Sequence, residues 1–362
     1  MSYAHRLLTL ALCCALVFAR GTAHAQDNRP DVVIDEAART LAITNLAREV
    51  ESTYPDVQVA ARVAAEVRKA FQDGRYNLTS ARALAAALTT DLRRTSGDPH
   101  MSVDYFVVAR TFPSPTATDD PVSEADRHLA LKLQNYGFAR VERLAGNVGY
   151  LKLDRFEDPA IAGATAAAAM QFLAGTDALI IDLRDNGGGY GTMETLLASY
   201  FFAEPTHLSD RTGRNASDLW QAWTYAAVAG PRYLDRPVYV LSGPRTFSAG
   251  EALAYDLQAQ KRATLIGETT RGGANTASRL LLSSRFGVII PNARVRNSVT
   301  GTNWEGGLKP DIPVTASQAL ATAHQTALEA IAAKHRDDPL TTEIEKKLAA
   351  LKTELATPAK PD

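Results

Sequence analysis

Short apolar runs alternate with helical stretches through the second half of this 362-residue chain, and that alternation narrows its fold more than any other feature. Val148–Leu153, Ala178–Ile181, Val238–Leu241 and Ala263–Ile266 have the length and the β-branched or fully apolar content of buried strands. Between them lie the Ala-rich segment 160–175, the segment 192–202 and the segment 248–260, all with helical character. Strands buried on both faces and separated by helices predict an α/β layer structure. Arg279–Leu282 and Gly287–Ile290 add two further strands. The tail from Ala316 to about Ala356 is helical in pattern and charged towards its end, which suits packing on the outside.

The region before this core has a different character. From Val33 to Arg94 the chain is rich in Ala, Leu, Arg and Glu, with apolar residues at helical spacing, as in Val59, Val63, Val67, Ala70 and Phe71. Gly74 and Asn77 interrupt it, and Ser80 is placed to cap the next helix. Gly97-Asp98-Pro99 ends the helical region and Met101–Ala109 has strand character, whereas the Pro-rich, polar stretch Thr111–Asp126 predicts a loop. The stretch between His100 and Val148 is too short for an inserted peptide-binding module. The expected organisation is a leader over 1–25, a helical N-terminal domain over 26–97, a strand and linker region over 98–146, an α/β core over 147–315 and a helical tail over 316–362.

The leader carries its own pattern. Arg6 supplies a positive start, Leu7–Phe18 an apolar stretch, and Ala23-His24-Ala25 an A-x-A cleavage site before Gln26. The apolar run is shorter than the about 20 residues of a membrane span, and Arg20 closes it, so no stable membrane span is expected. Export to the periplasm or beyond follows. Cys13 and Cys14, the two cysteines of the chain, both lie in this leader, so the mature protein is expected to have no disulfide, thiolate metal site or cysteine nucleophile. Removing Arg6 and Arg20 with no acid takes the formal charge from −1 to −3, the wrong sign for a nucleic-acid partner.

The chemistry centres on Ser248. It follows the strand Val238–Leu241 and the breaker Ser242-Gly243-Pro244, and it precedes a helix. A serine at a strand-to-helix turn is placed for nucleophilic attack beside unpaired N–H groups. The same Ser248-Ala-Gly-Glu251 also fits the S-x-x-E capping box, in which the serine only caps the helix. Asp182-Leu-Arg-Asp-Asn-Gly-Gly-Gly189 follows another buried strand; its glycines allow close backbone approach to a ligand, or simply a flexible turn. It has no lysine of a phosphate-binding loop.

A catalytic serine needs a base, and Lys261 is out of reach at roughly 20 Å along a continuous helix. His128, His324 and His335 lie in polar or charged helical stretches and are expected at the surface, and His207 is expected in a loop. His100 stands at a Gly-Asp-Pro-His turn entering a strand, where a side chain can be fixed. Glu305, beside Trp304 and two glycines, is a candidate to orient it, or an ordinary turn glutamate. With no H-E-x-x-H and no histidine–carboxylate cluster, neither a metal nor a cofactor is expected.

Four segments together resemble a known family: Asp98-Pro-His100, Asp182–Gly189, Thr246–Glu251 with Lys261–Gly273, and Glu305-Gly-Gly-Leu-Lys-Pro-Asp311. They are similar to the tail-specific (C-terminal processing) serine peptidases, in the branch that includes the tricorn core and the interphotoreceptor retinoid-binding protein modules. The resemblance implies a crotonase/ClpP-like α/β core with an N-terminal helical domain and a C-terminal helix. The processing peptidases pair serine with lysine, but their lysine position falls on Gly273, so that dyad is not expected here. The tricorn-like pattern implies Ser248 as nucleophile, His100 as base and Glu305 as the orienting carboxylate. Pro99 stands where that branch often has a small polar residue. Oxyanion donors would be the N–H of Ala249 and one from the Gly187-Gly188 run, with Gly188 preferred. Peptides or unfolded protein are the implied partners. The retinoid-binding relatives imply the alternative, a non-catalytic module for a hydrophobic small ligand.

Overall fold

The computed structural model describes residues 29–110, 112, 124–215, 217–336 and 338–356. The leader with its cleavage site and both cysteines, and most of the Thr111–Asp126 linker, lie outside the described residues. Among those described, no helix is long and apolar enough to cross a membrane.

Three N-terminal helices form where the spacing predicts them: α1 (Glu36–Thr53), α2 (Val57–Gln72) and α3 (Ala81–Ser96). Each begins on an oxygen-bearing cap: Asp35 accepts from the N–H of Ala38, Asp56 from those of Gln58 and Val59, and Ser80 from that of Ala83. Gly97, at φ +78°, closes α3 in the left-handed conformation and turns the chain towards Asp98. The strand that follows, β1 (Ser102–Tyr105), is shorter than the sequence predicts. Then come α4 (Glu124–Leu133) and the hairpin β2 (Phe138–Leu144) to β3 (Val148–Leu153).

The alternating core continues with α5 (Pro159–Leu173), β4 (Ala178–Asp182) and α6 (Gly191–Ala198). Next are β5 (His207–Thr212), β6 (Leu219–Trp223), β7 (Val238–Ser242), α7 (Ala249–Ala259) and β8 (Thr264–Gly267). The chain ends in β9 (Thr276–Leu281), β10 (Phe286–Asn297), β11 (Ile312–Pro313), α8 (Ala316–Ile331) and α9 (Pro339–Ala356). One sheet has the order β11-β8-β7-β4-β3-β2, parallel throughout except for β2. β4 and β7 lie at its centre and are buried at every position, which is why their sequences carry no polar alternation. Fully burying side chains such as Ile180 or Val240 stabilises the sheet by about 1.5–3 kcal/mol each. α5, α6 and α7 cover one face and α8 with α9 the other, giving the mixed α/β fold expected.

The second sheet, β1-β10-β5-β6 with β9 also on β10, is the part the sequence conceals. β10 is a 12-residue strand, far longer than the Gly287–Ile290 core of its apolar pattern. β5 and β6 contain polar and exposed positions, so they escape a search for apolar runs. His207 therefore opens a strand rather than sitting in a loop, with its ring stacked on Trp223. His324 is not on the surface either: it is 4% exposed, with Nε2 2.9 Å from the Ala145 carbonyl. His335 is held between Asp338 and Asp177. The N-terminal helices pack against β1, β9 and β10 in one shared apolar cluster, so the second sheet ties the helical region to the core.

Candidate active site

The turn from β7 to α7 is tightly fastened. Thr246 is buried; its hydroxyl donates to the Leu183 carbonyl at 2.7 Å and accepts from the Gly243 N–H at 3.0 Å. The Phe247 N–H donates to the Asn186 carbonyl at 2.9 Å. Ser248 then adopts φ +54° and ψ −120°, a region that costs a non-glycine residue about 1–3 kcal/mol. An ordinary N-cap needs no such conformation. Glu251 does form the carboxylate half of the capping box, since Oε2 accepts the Ser248 N–H at 2.8 Å. Its other oxygen accepts from the Gly272 N–H at 2.7 Å and from the Thr270 hydroxyl. Burial pushes the Glu251 pKa up to about 7, against the pull of these three donors. Glu251 thus anchors the turn from behind while Ser248 lines a cavity of about 360 Å³.

His100 lines the same cavity, carried there by the loop between α3 and β1. Its Nδ1 lies 3.2 Å from Asp98 Oδ1, and its own N–H donates to that oxygen at 2.9 Å. An ionised carboxylate at Nδ1 holds the ring proton there and leaves Nε2 as an acceptor, the tautomer a general base requires. Nε2 is buried and has no hydrogen-bond partner among the described residues. Burial alone would raise the Asp98 pKa; hydrogen bonds from His100 and Asn275 outweigh it and hold the carboxyl below its usual value. The orienting contact of His100 is therefore with Asp98, not with Glu305 as expected. Glu305 is nearby, but its Oε2 accepts the Ala274 N–H at 3.0 Å, and burial followed by the charge of Asp98 raises its pKa. Two carboxyls in one site with pKa values driven apart take different roles.

Gly273 explains why a lysine cannot stand where the processing peptidases have one. A Cβ at this position would lie 2.3 Å from Phe247 Cε2 and 2.9 Å from His100 Cε1. The Phe247 ring, with the imidazole beside it, occupies that space.

The glycine run comes against Ser248 from the end of β4. A Cβ on Gly188 would sit 2.8 Å from Ser248 Cβ, so only glycine fits there. Asn186, fully buried, braces the run: its Nδ2 donates to the Leu153 carbonyl and its Oδ1 accepts the Gly188 N–H at 2.8 Å. The Gly187 N–H donates to the Asp154 carbonyl at 3.3 Å. Both expected glycine donors are thus engaged. Gly189 differs: it forms a parallel bridge with Phe156 made by the Phe156 and Tyr190 N–H groups, which turns its own N–H to the other side. Among the described residues neither the Gly189 nor the Ala249 N–H has a partner, and both residues line the cavity.

Beyond the serine, the cavity wall follows one face of α7 from Ala249 through Ala252 to Asp256. A buried pair of acids, Asp256 and Glu194, lines the cavity as well, together with Arg211 of β5. Burial, reinforced by the charge of Asp256, raises the Glu194 pKa well above its normal value, and burial raises Asp256 to about 7. The pair retains a proton that the unfolded chain has lost, so the folded state binds more protons between about pH 4 and pH 7. Stability is therefore expected to fall as pH rises through that window, and Asp256→Asn to flatten the slope, as read from unfolding midpoints between pH 5 and 8.

The sequence alone places Ser248, His100, Ala249 and Glu305 in this region, and the structure brings all four to it. Asp98, Asn186, Glu251, Glu194, Arg211 and Asp256 carry further weight. Asp98 and Glu251 stand two residues before the histidine and three after the serine, spacings that offer a signal; Arg211 sits in a strand with none.

The chain is similar to known proteins over most of this architecture. Residues 147–314 match the model of peptidase family S41, and residues 35–133 match that of the N-terminal domain of the same family in eukaryotic IRBP. A carboxyl-terminal-processing protease of Synechocystis is 31% identical over 165 residues, covering 46% of this chain and 37% of the relative. A carboxy-terminal-processing protease of Bartonella bacilliformis is 29% identical, covering 48% and 40%. The chain therefore spans about two fifths of the length of these curated relatives. Among solved structures, a lipoprotein from Streptococcus agalactiae shares the fold at a TM-score of 0.54 and 13% identity, covering 83% of this chain and 99% of its own.

Proposed function

Because this chain belongs to peptidase family S41, we propose that it is an exported serine peptidase that hydrolyses peptide bonds in short peptides or unfolded protein. Ser248 Oγ attacks the scissile carbonyl and His100 Nε2 takes its proton. The developing oxyanion is held by the N–H of Ala249, at the start of α7, and that of Gly189. Collapse of the tetrahedral intermediate passes the proton from His100 to the leaving amine, and water then resolves the acyl-enzyme by the same route. Asp98 holds the imidazole in its tautomer throughout, while Glu305 fixes the Ala274 backbone beside it. Export rests on the leader over 1–25 with cleavage after Ala25.

The observation that carries this reading is one cavity holding a strained serine and a buried, unpartnered imidazole nitrogen. A hydrophobic-ligand carrier on the same fold fits less well. Burying an apolar molecule against Glu194, Asp256 and Arg211 leaves polar groups unpaired, at about 1–3 kcal/mol each. Incubation with a fluorophosphonate probe decides between them. A single adduct, localised to Ser248 by peptide mass spectrometry, is expected; no adduct on folded protein that binds a fatty acid or retinoid would establish the carrier instead.

A further inference from the structure

The cavity beside Ser248 has a chemistry that general peptide hydrolysis does not require. Its sides are small or apolar, with Ala249, Ala252, Ala277 and Val295, and the cationic group at its end is Arg211. Among the described residues the Arg211 side chain makes no hydrogen bond and no ion pair within 4 Å, though its charge acts on Glu194 and Asp256. Nε is shut off from solvent, whereas the two Nη atoms are not among the occluded atoms. Gly191 leaves the fork its room, because a Cβ there would lie 3.2 Å from Nη2.

Resting on the peptidase reading, we propose that this cavity is a side-chain pocket for an acidic residue at the scissile bond, whose carboxylate is received by Arg211. The position argues for a side chain of the acyl half of the substrate. The wall is α7, the helix whose first residue follows the nucleophile, and a group on the carbon next to the attacked carbonyl enters along it. The free contacts at the end of the pocket are guanidinium donors. A leucine would leave them unpaired, a lysine offers them no acceptor, and a carboxylate matches the planar fork with two parallel hydrogen bonds. Glu194 and Asp256 line the same cavity but are 1% and 2% exposed, so they supply counter-charge to the guanidinium and offer little surface to a ligand. Burial raises the pKa of both acids, which keeps that counter-charge below two units.

The test is a set of fluorogenic peptides, N-acetylated and C-amidated, identical except for Glu, Gln, Leu or Lys at the residue donating the scissile carbonyl. With the full chain, kcat/KM for the Glu peptide is expected to exceed that for Leu and Lys by about tenfold or more, with Gln between. Arg211→Met is expected to collapse the Glu-to-Leu ratio to about one or below. If removing the charge prevents folding, Arg211→Lys, which keeps the charge but loses the fork, is expected to lower the same ratio. A wild-type preference for Leu, or a ratio that ignores both substitutions, overturns the proposal. Fluorophosphonate labelling separates the two failures: an adduct on Ser248 without the Glu preference removes this pocket alone, and absence of the adduct removes the peptidase reading with it.

Discussion

Ser248→Ala is expected to lower kcat/KM for peptide hydrolysis by about 10⁵–10⁶-fold and to abolish the fluorophosphonate adduct. The size of the effect follows from the arrangement around the serine. Glu251, Thr246 and the Asn186 carbonyl hold its turn in place independently of its hydroxyl, so the alanine variant keeps the cavity and the N–H donors and loses only the attacking atom. Residual hydrolysis above the uncatalysed rate then comes from binding and the oxyanion site alone. The strain at φ +54° is borne by alanine as by serine, so the unfolding midpoint should change little. Steady-state kinetics on one peptide, with circular dichroism to confirm folding, checks both parts. Activity within tenfold of wild type would remove Ser248 from the mechanism.

Asp98→Asn is expected to cost about 10³–10⁴-fold in kcat, and Glu305→Gln about tenfold or less. Asp98 touches the imidazole and accepts from its Nδ1, whereas Glu305 binds the Ala274 backbone. An asparagine amide at position 98 can offer an N–H to Nδ1, which moves the ring proton to Nε2, where it blocks acceptance of the serine proton. Because Asp98 also accepts from Asn275 and lies near the Tyr54 hydroxyl, a purely structural role has to be separated. The pH–rate profile does that. A positioning carboxylate shifts the acid limb when removed, and a structural one lowers the whole curve evenly. The reverse ranking of the two variants would restore Glu305 as the orienting group.

How much of this was legible in the sequence depended on the physical signal each element leaves. β4 and β7 are buried on both faces and announce themselves as apolar runs, and the caps at Asp35, Asp56 and Ser80 mark the N-terminal helices. β5 and β6 have mixed faces and long-range partners, so their pairing with β10 has no local trace. The serine and histidine were legible through their turns and through the family pattern. Which carboxylate meets the imidazole was not, because Asp98 and Glu305 come from distant parts of the chain and only their folded positions decide. The same holds for the N–H groups proposed as oxyanion donors. Which of three successive glycines presents a free N–H is set by the bridge to Phe156, not by composition.

The second sheet gives the order of synthesis a chemical meaning. His100 lies just before β1, and β1 is pinned to the fold by β10, whose pairing partners begin at Phe286. A growing chain therefore holds both Ser248 and His100 before β10, the strand that docks the base, has been made. If Ser248 and His100 act as proposed, the base is seated only when β10 pairs with β1. The order of synthesis would then keep the site incomplete until β10 is in place. It is a timing device, written into the distance along the chain between a histidine and the strand that seats it.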